Sequence, residues 1–139
     1  MPIKVLDLID LGHKPDARRT VLMNGPNMNT FFHIYPTPGM KDDMHCHNAD
    51  GTFLVLEGEC TMHFPDGGKS VLTPGMIGLI TGGSFYQLEN TGDGPMVMLG
   101  HHSRPTQTSK TILHETRKEL VRPGQQKSTE PPRHTEILV

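Results

Sequence analysis

The sequence predicts an all-β domain, and three observations carry that expectation. Its 15 glycines and 12 prolines in 139 residues are more punctuation than a helix bundle tolerates, because both residue types are costly inside helices. Its apolar residues fall in short runs bounded by Gly, Pro, Asn and Asp, the pattern of strands joined by turns. About nine such runs follow one another at regular spacing between residues 19 and 103, as in a sandwich or a closed barrel with few exposed edges.

The elements follow in chain order. Residues 1–18 form an N-terminal arm in which Val5, Leu6, Leu8, Ile9 and Leu11 make an apolar patch, either an edge strand or a short turn of helix laid on the main body. TVLMN and TFFHIYP flank the turn Asn24-Gly25-Pro26-Asn27 and read as a hairpin with a longer loop. DDMHCH, TFLVLEGE and CTMHF follow, then the turn Pro65-Asp66-Gly67-Gly68 and KSVLT. After Pro74-Gly75 come MIGLI, the turn Thr81-Gly82-Gly83, SFYQLEN, the turn Thr91-Gly92-Asp93-Gly94 and PMVMLGHH. From Ser103 the chain turns polar. Residues 104–139 read as a C-terminal extension, with a short helix over 108–121 carrying a weak stripe of Ile112, Leu113 and Leu120, and a tail after it.

Length and charge narrow the function. The chain is the size of one domain, long enough to bury a core without disulfides. A formal net charge of -2, no Trp and only two Tyr and five Phe give neither a basic patch nor stacking platforms, so nucleic acid is not the expected partner. No apolar run approaches the roughly 20 residues that span a bilayer, so no membrane partner is expected. The opening MPIKVLDLIDLGHK has acidic residues inside its apolar stretch, unlike a secretory signal, and the expected location is the cytoplasm. Cys46 and Cys60 are then expected as free thiols.

Nine histidines are the first sign of chemistry. His45 and His47 lie two apart, so on a strand both imidazoles project from one face and can take adjacent corners of one metal's coordination sphere. Cys46 between them points the other way.

The surroundings of this pair resemble the cupin superfamily. Its first motif is a glycine, five residues, H-x-H, a short gap, a glutamate, six residues and a glycine. Here the series runs from Gly39 through His45-Cys46-His47 and Asn48-Ala49-Asp50-Gly51 to Gly58. The second motif is a glycine, five residues, P-x-G, two residues, a histidine, three residues and an asparagine. It is matched by Gly75, Thr81-Gly82-Gly83, Tyr86 and Asn90. Sixteen residues separate Gly58 from Gly75, close to the short spacer of compact bacterial cupins. The resemblance covers about residues 19–103 and implies a double-stranded β-helix, the cupin jelly-roll barrel. It also implies a homodimer and a site for one divalent or trivalent transition metal, Fe, Mn, Zn or Cu.

The chain departs from the pattern at two of the four usual ligand positions. The glutamate position is Gly51 and the second-motif histidine position is Tyr86. Two neutral imidazoles hold a divalent ion weakly unless a hard or anionic group joins them. Asp50, swung inward by a bulge at Gly51, and Tyr86, as a phenolate, are the candidates to complete the metal site. Each has a plain alternative, a turn residue for Asp50 and a hydrogen-bonding phenol in the pocket for Tyr86. Tyr86 is also the candidate catalytic residue. His101 or His102, after the last strand, is a further candidate to reach the mouth, against a solvated strand end. His33, His63, Phe53 and Met98 are expected to line the substrate pocket. The expected function is a metal-dependent enzyme acting on a small oxygenated organic molecule by dioxygenase, isomerase, decarboxylase or lyase chemistry. The alternative is a metal-free or weakly metallated cupin that binds or senses a small molecule.

Overall fold

The computed structural model describes residues 5–13 and 19–120. The predicted tail over the last 18 residues and parts of the N-terminal arm lie outside the described residues.

Each of the nine predicted runs forms a strand: β1 Arg19–Asn24, β2 Asn29–Tyr35, β3 His45–His47, β4 Gly51–Glu57, β5 Cys60–His63, β6 Lys69–Leu72, β7 Ile77–Ile80, β8 Gln87–Asn90 and β9 Met96–His102. One sheet has the order β1-β2-β9-β4-β7, all antiparallel. Opposite it stand β6-β5-β8 and the pair of β3 with β10 Thr111–Leu113. The two groups join through an antiparallel bridge between His45 and Tyr86, whose backbone N–H and C=O groups exchange hydrogen bonds of 2.9 Å. The result is the expected all-β double-stranded β-helix.

Alternation along the strands decides which side chains enter the barrel. Phe31, Tyr35, Phe53, Val55, Cys60, Met62, Tyr86, Leu88, Met96 and Met98 belong to one buried cluster between the sheets. Phe32, Ile34 and Val97, from the opposite faces of β2 and β9, bury against Leu22 and against Leu6, Leu8 and Leu11. The described part of the N-terminal arm therefore carries a turn of helix, α1 Leu8–Gly12, on the outer face of the sheet, where an edge strand was the alternative. Asp7 caps it, its carboxylate accepting from the N–H groups of Ile9 and Asp10 at 3.1 Å. The double burial of β2 explains why TFFHIY reads as a nearly continuous apolar run.

The motif residues outside the site hold its frame. Gly58 has φ of 81°, and a Cβ there would run into the carbonyl of Pro95. Asn90 is fully buried, and its amide donates at 2.9 Å to the carbonyls of Tyr35 and Gly94.

The short helix expected over 108–121 does not form. Residues 111–113 instead pair with His45–His47 in the register Thr111↔His47 and Leu113↔His45. The β3 backbone has an open side next to the barrel mouth, and pairing there with a β-branched segment outweighs a weak helical stripe. Arg117 then lies over the Phe85 ring at 4.6 Å, and His114 meets that ring edge-on at 4.8 Å. No helix among the described residues is long and apolar enough to cross a membrane.

Candidate metal and substrate site

His45 and His47 enter the barrel from β3, and their Nε2 atoms stand 3.2 Å apart. Both rings are oriented from behind. His45 Nδ1 lies 2.6 Å from the carbonyl of Asp43. His47 Nδ1 lies 3.3 Å from the carbonyl of Lys110 and 3.2 Å from Thr111 Oγ1. A carbonyl oxygen only accepts, so Nδ1 carries the proton in each neutral ring and Nε2 is left with its lone pair. Two lone pairs at this separation repel unless a proton or a cation lies between them. Pinning Nδ1 to a backbone carbonyl so that Nε2 faces the metal is how metal-binding histidines are usually oriented.

The third imidazole comes from β9. The sheet register places His102 opposite Gly51, and its ring centroid lies 4.4 Å from that of His47. His102 is 2% exposed, and neither ring nitrogen has a hydrogen-bond partner. A Cβ built on Gly51 would meet His102 Cδ2 at 3.0 Å and Nε2 at 3.6 Å. The glycine at the glutamate position thus leaves the space that the His102 ring fills. Tyr86 closes the group, its ring 4.7 Å from that of His45 and its buried hydroxyl also without a partner.

Burial dominates the electrostatics. It lowers His47 to about 2, with the neighbouring His102 and His45 adding to the effect. It lowers His102 to about 4, and the Arg19 guanidinium contributes. Both rings are therefore neutral near pH 7 and able to ligate. Burial, reinforced by the Asp42 charge, holds the Tyr86 hydroxyl well above the usual phenol range, so it is a hydrogen-bond donor. Burial also raises Asp42, whose Oδ1 accepts from the N–H of Leu88 at 2.8 Å and whose Oδ2 accepts from the hydroxyl of Tyr35 at 3.0 Å.

These side chains surround a cavity of about 40 Å³, lined also by Arg19, His33, Phe53, Thr111 and Leu120. His33 and Phe53 therefore reach the pocket as expected. Met98 is fully buried in the core cluster and does not line the cavity. His63 does not reach the pocket either. On β5 the inward positions are Cys60 and Met62, so His63 faces out and pairs with Glu89 at 2.8 Å. Asp50 is exposed, and its Oδ1 accepts from the N–H of Gly82 at 2.8 Å. It ties down the Thr81-Gly82-Gly83 turn instead of swinging inward, because β4 starts in regular pairing at Gly51 without a bulge.

Sequence reasoning names His101 or His102 as a further candidate but favours a solvated strand end for it and takes Asp50 as a ligand; the structure brings His102 to the site. A signal was present. Met96, Met98, Gly100 and His102 share one face of β9, and the two methionines are plainly core.

Among the described residues, no three His, Cys, Asp or Glu side chains already converge as a metal-holding group. The donor chemistry nonetheless fits a transition metal. Two oriented imidazole lone pairs meet at one point, and a neutral imidazole with two unpartnered nitrogens stands beside them.

The family profile described as Cupin domain matches residues 32–101, half of the sequence. The chain belongs to the cupin family. A double-stranded β-helix protein of uncharacterised function from Klebsiella pneumoniae is similar at 17% identity, with a TM-score of 0.66 over 79% of this cupin and 97% of that chain. A sugar phosphate isomerase of the cupin superfamily from Silicibacter pomeroyi is similar at 22% identity, with a TM-score of 0.57 over 70% of this chain. This cupin spans 66% of that isomerase. A cupin-like protein from Thermotoga maritima is similar at 16% identity, with a TM-score of 0.57 over 62% of this chain and 67% of that one. At these identities the likeness is one of fold. No curated protein matches the chain.

Proposed function

We propose that this cupin is a metal-dependent enzyme acting on a small oxygenated organic molecule, with His45 and His47 as ligands and His102 in place of the glutamate missing at position 51. One observation supports this above all: both Nδ1 atoms are tied to backbone carbonyls while both Nε2 atoms face one point at 3.2 Å. A bound Fe, Mn, Zn or Cu ion would supply Lewis-acid polarisation of a substrate oxygen. Tyr86 holds its proton at Oη beside that point and can donate a hydrogen bond to a developing oxyanion. Phe31 and Phe53 keep the interior apolar. The name of the Silicibacter pomeroyi relative makes isomerisation the first reaction to assay, ahead of oxygenase, decarboxylase and lyase chemistry.

Elemental analysis of the purified protein tests the reading. About one metal per chain in the wild type, and little in His45→Ala/His47→Ala, is expected. No uptake by either protein after incubation with Fe, Mn, Zn and Cu would overturn it. A second reading, a metal-free module that binds a small molecule, is favoured by the lack, among the described residues, of a converged three-residue metal group. A ligand-dependent rise in melting temperature without metal would support that reading.

A further inference from the structure

We propose that residues 108–120 form a strap, clasped by Asn48, that sets the orientation and tautomer of His47 and so controls the site. The inference deepens the reading above and rests on it for His47 as a metal ligand.

The strap is a small hairpin of its own. The N–H of Leu113 donates to the carbonyl of Lys118 at 2.9 Å, and that of Leu120 to the carbonyl of Thr111 at 2.8 Å. Its turn holds Arg117 at φ of 60°, a conformation unfavourable for a residue with a side chain. Only the three residues of β10 pair with β3, and the tip rests on Phe85 through Arg117 and His114. None of residues 106–120 is fully buried, whereas five of the seven residues of β9 are. A segment with so little buried surface opens at a lower free-energy cost than the barrel strands.

Asn48, directly after His47, fastens the base of the strap. Its Nδ2 donates to the carbonyl of Thr108 at 3.0 Å, and its Oδ1 accepts from the N–H of Lys110 at 2.7 Å. The Asn48 backbone N–H donates to the Lys110 carbonyl at 3.3 Å. That same carbonyl and the Thr111 hydroxyl face His47 Nδ1, at 3.3 and 3.2 Å. Both groups that orient His47 therefore belong to the strap. His45 differs, because its Nδ1 is held by the carbonyl of Asp43, two residues away in the chain.

The two ligands are thus held by different means. Opening the strap carries Lys110 and Thr111 away from His47 but leaves His45 in place. The His47 ring is then free to turn, and its proton to move to Nε2, where it would occupy the lone pair a metal needs. Closing the strap restores the ligating tautomer. Strap and metal share His47, so each strengthens the other by the same factor. Thr111 and Leu120 also line the cavity, which makes the strap part of its wall.

The test combines hydrogen exchange, imidazole NMR and zinc calorimetry on the full-length protein. The reporter amide is that of His114, which donates to the Met44 carbonyl across the strap boundary at 2.9 Å. In chelator-treated protein, Asn48→Ala should speed exchange at His114 but not in β9, and should move His47 away from the Nδ1–H tautomer. Its zinc affinity should fall by about tenfold or more. Thr111→Val should weaken zinc less, because the Lys110 carbonyl remains, and Thr111→Ser should behave like wild type. Zinc should slow His114 exchange in the wild type, a result that needs no variant to fold. Zinc bound without that slowing would overturn the proposal. So would an Asn48→Ala protein whose strap is freed while His47 and zinc affinity stay unchanged. A His47 tautomer that follows the strap in a protein taking up no zinc would remove the metal reading and leave the strap's hold on His47 standing.

Discussion

Gly51 and His102 face each other across the β4–β9 ladder, and the imidazole of His102 lies where a side chain at position 51 would begin. The family's glutamate position and this chain's third imidazole therefore compete for one space. Gly51→Ala would press on His102 Cδ2 and on the His101 carbonyl, both 3.0 Å from the new Cβ. We expect a loss of about 1–3 kcal/mol in denaturant unfolding and a displaced His102 ring signal in NMR spectra. A ring signal that stays in place would count against the steric exchange.

The same competition predicts the outcome of restoring the usual residue. Gly51→Glu alone should unfold readily or lose metal, because the carboxylate and the imidazole cannot share the space. Gly51→Glu/His102→Ala should recover metal binding at His45 and His47. A double variant no better than the single one would show that His102 and position 51 are not interchangeable.

Tyr86→Phe removes a buried hydroxyl that has no partner. Leaving such a group unmet costs about 1–3 kcal/mol, so the variant should match or exceed wild-type stability in metal-free, ligand-free protein. It should at the same time lose activity. Stability gained where function is lost is the mark of a residue kept for chemistry. Destabilisation by Tyr86→Phe would point instead to a structural role.

Stability should fall in acid through the two buried imidazoles. His102 is lowered to about 4 and His47 to about 2, from an ordinary value of 6.5. Between those limits the unfolded chain binds protons that the folded one refuses, so unfolding becomes more favourable as pH drops below 6.5. Each proton is worth about 1.4 kcal/mol per pH unit. His102 contributes this slope down to about 4, and His47 continues below it. In chelator-treated protein, His102→Phe should flatten the stability profile by one proton across the His102 window. An unchanged slope would mean that His102 is not buried as a neutral ring.

Asp50 and His63 supply the negative controls. Asp50→Ala removes the acceptor for Gly82 N–H and should cost about 1 kcal/mol, with metal content unchanged. His63→Ala breaks only the half-exposed pair with Glu89 and should cost less than about 1 kcal/mol. Metal lost from Asp50→Ala would restore the carboxylate as a ligand.

Much of this molecule was legible in the linear order of residues. Strand formation and the inward side of each strand depend on near neighbours. The runs from TVLMN to PMVMLGHH therefore became β1 to β9, and His45 and His47 came out on one face with Cys46 turned away. The absence of a glutamate at 51 and of a histidine at 86 was equally plain. What took their place was not, because that depends on which strand lies beside which and in what register. Only the pairing of β4 with β9 brings His102 against Gly51. Only the pairing of β10 with β3 sets the Lys110 carbonyl behind His47. Only the capture of Asp50 by the Gly82 N–H removes that carboxylate from the site. Alternation is local and can be read along a single strand, whereas the contacts that complete the site join residues more than 30 positions apart, and packing alone selects them.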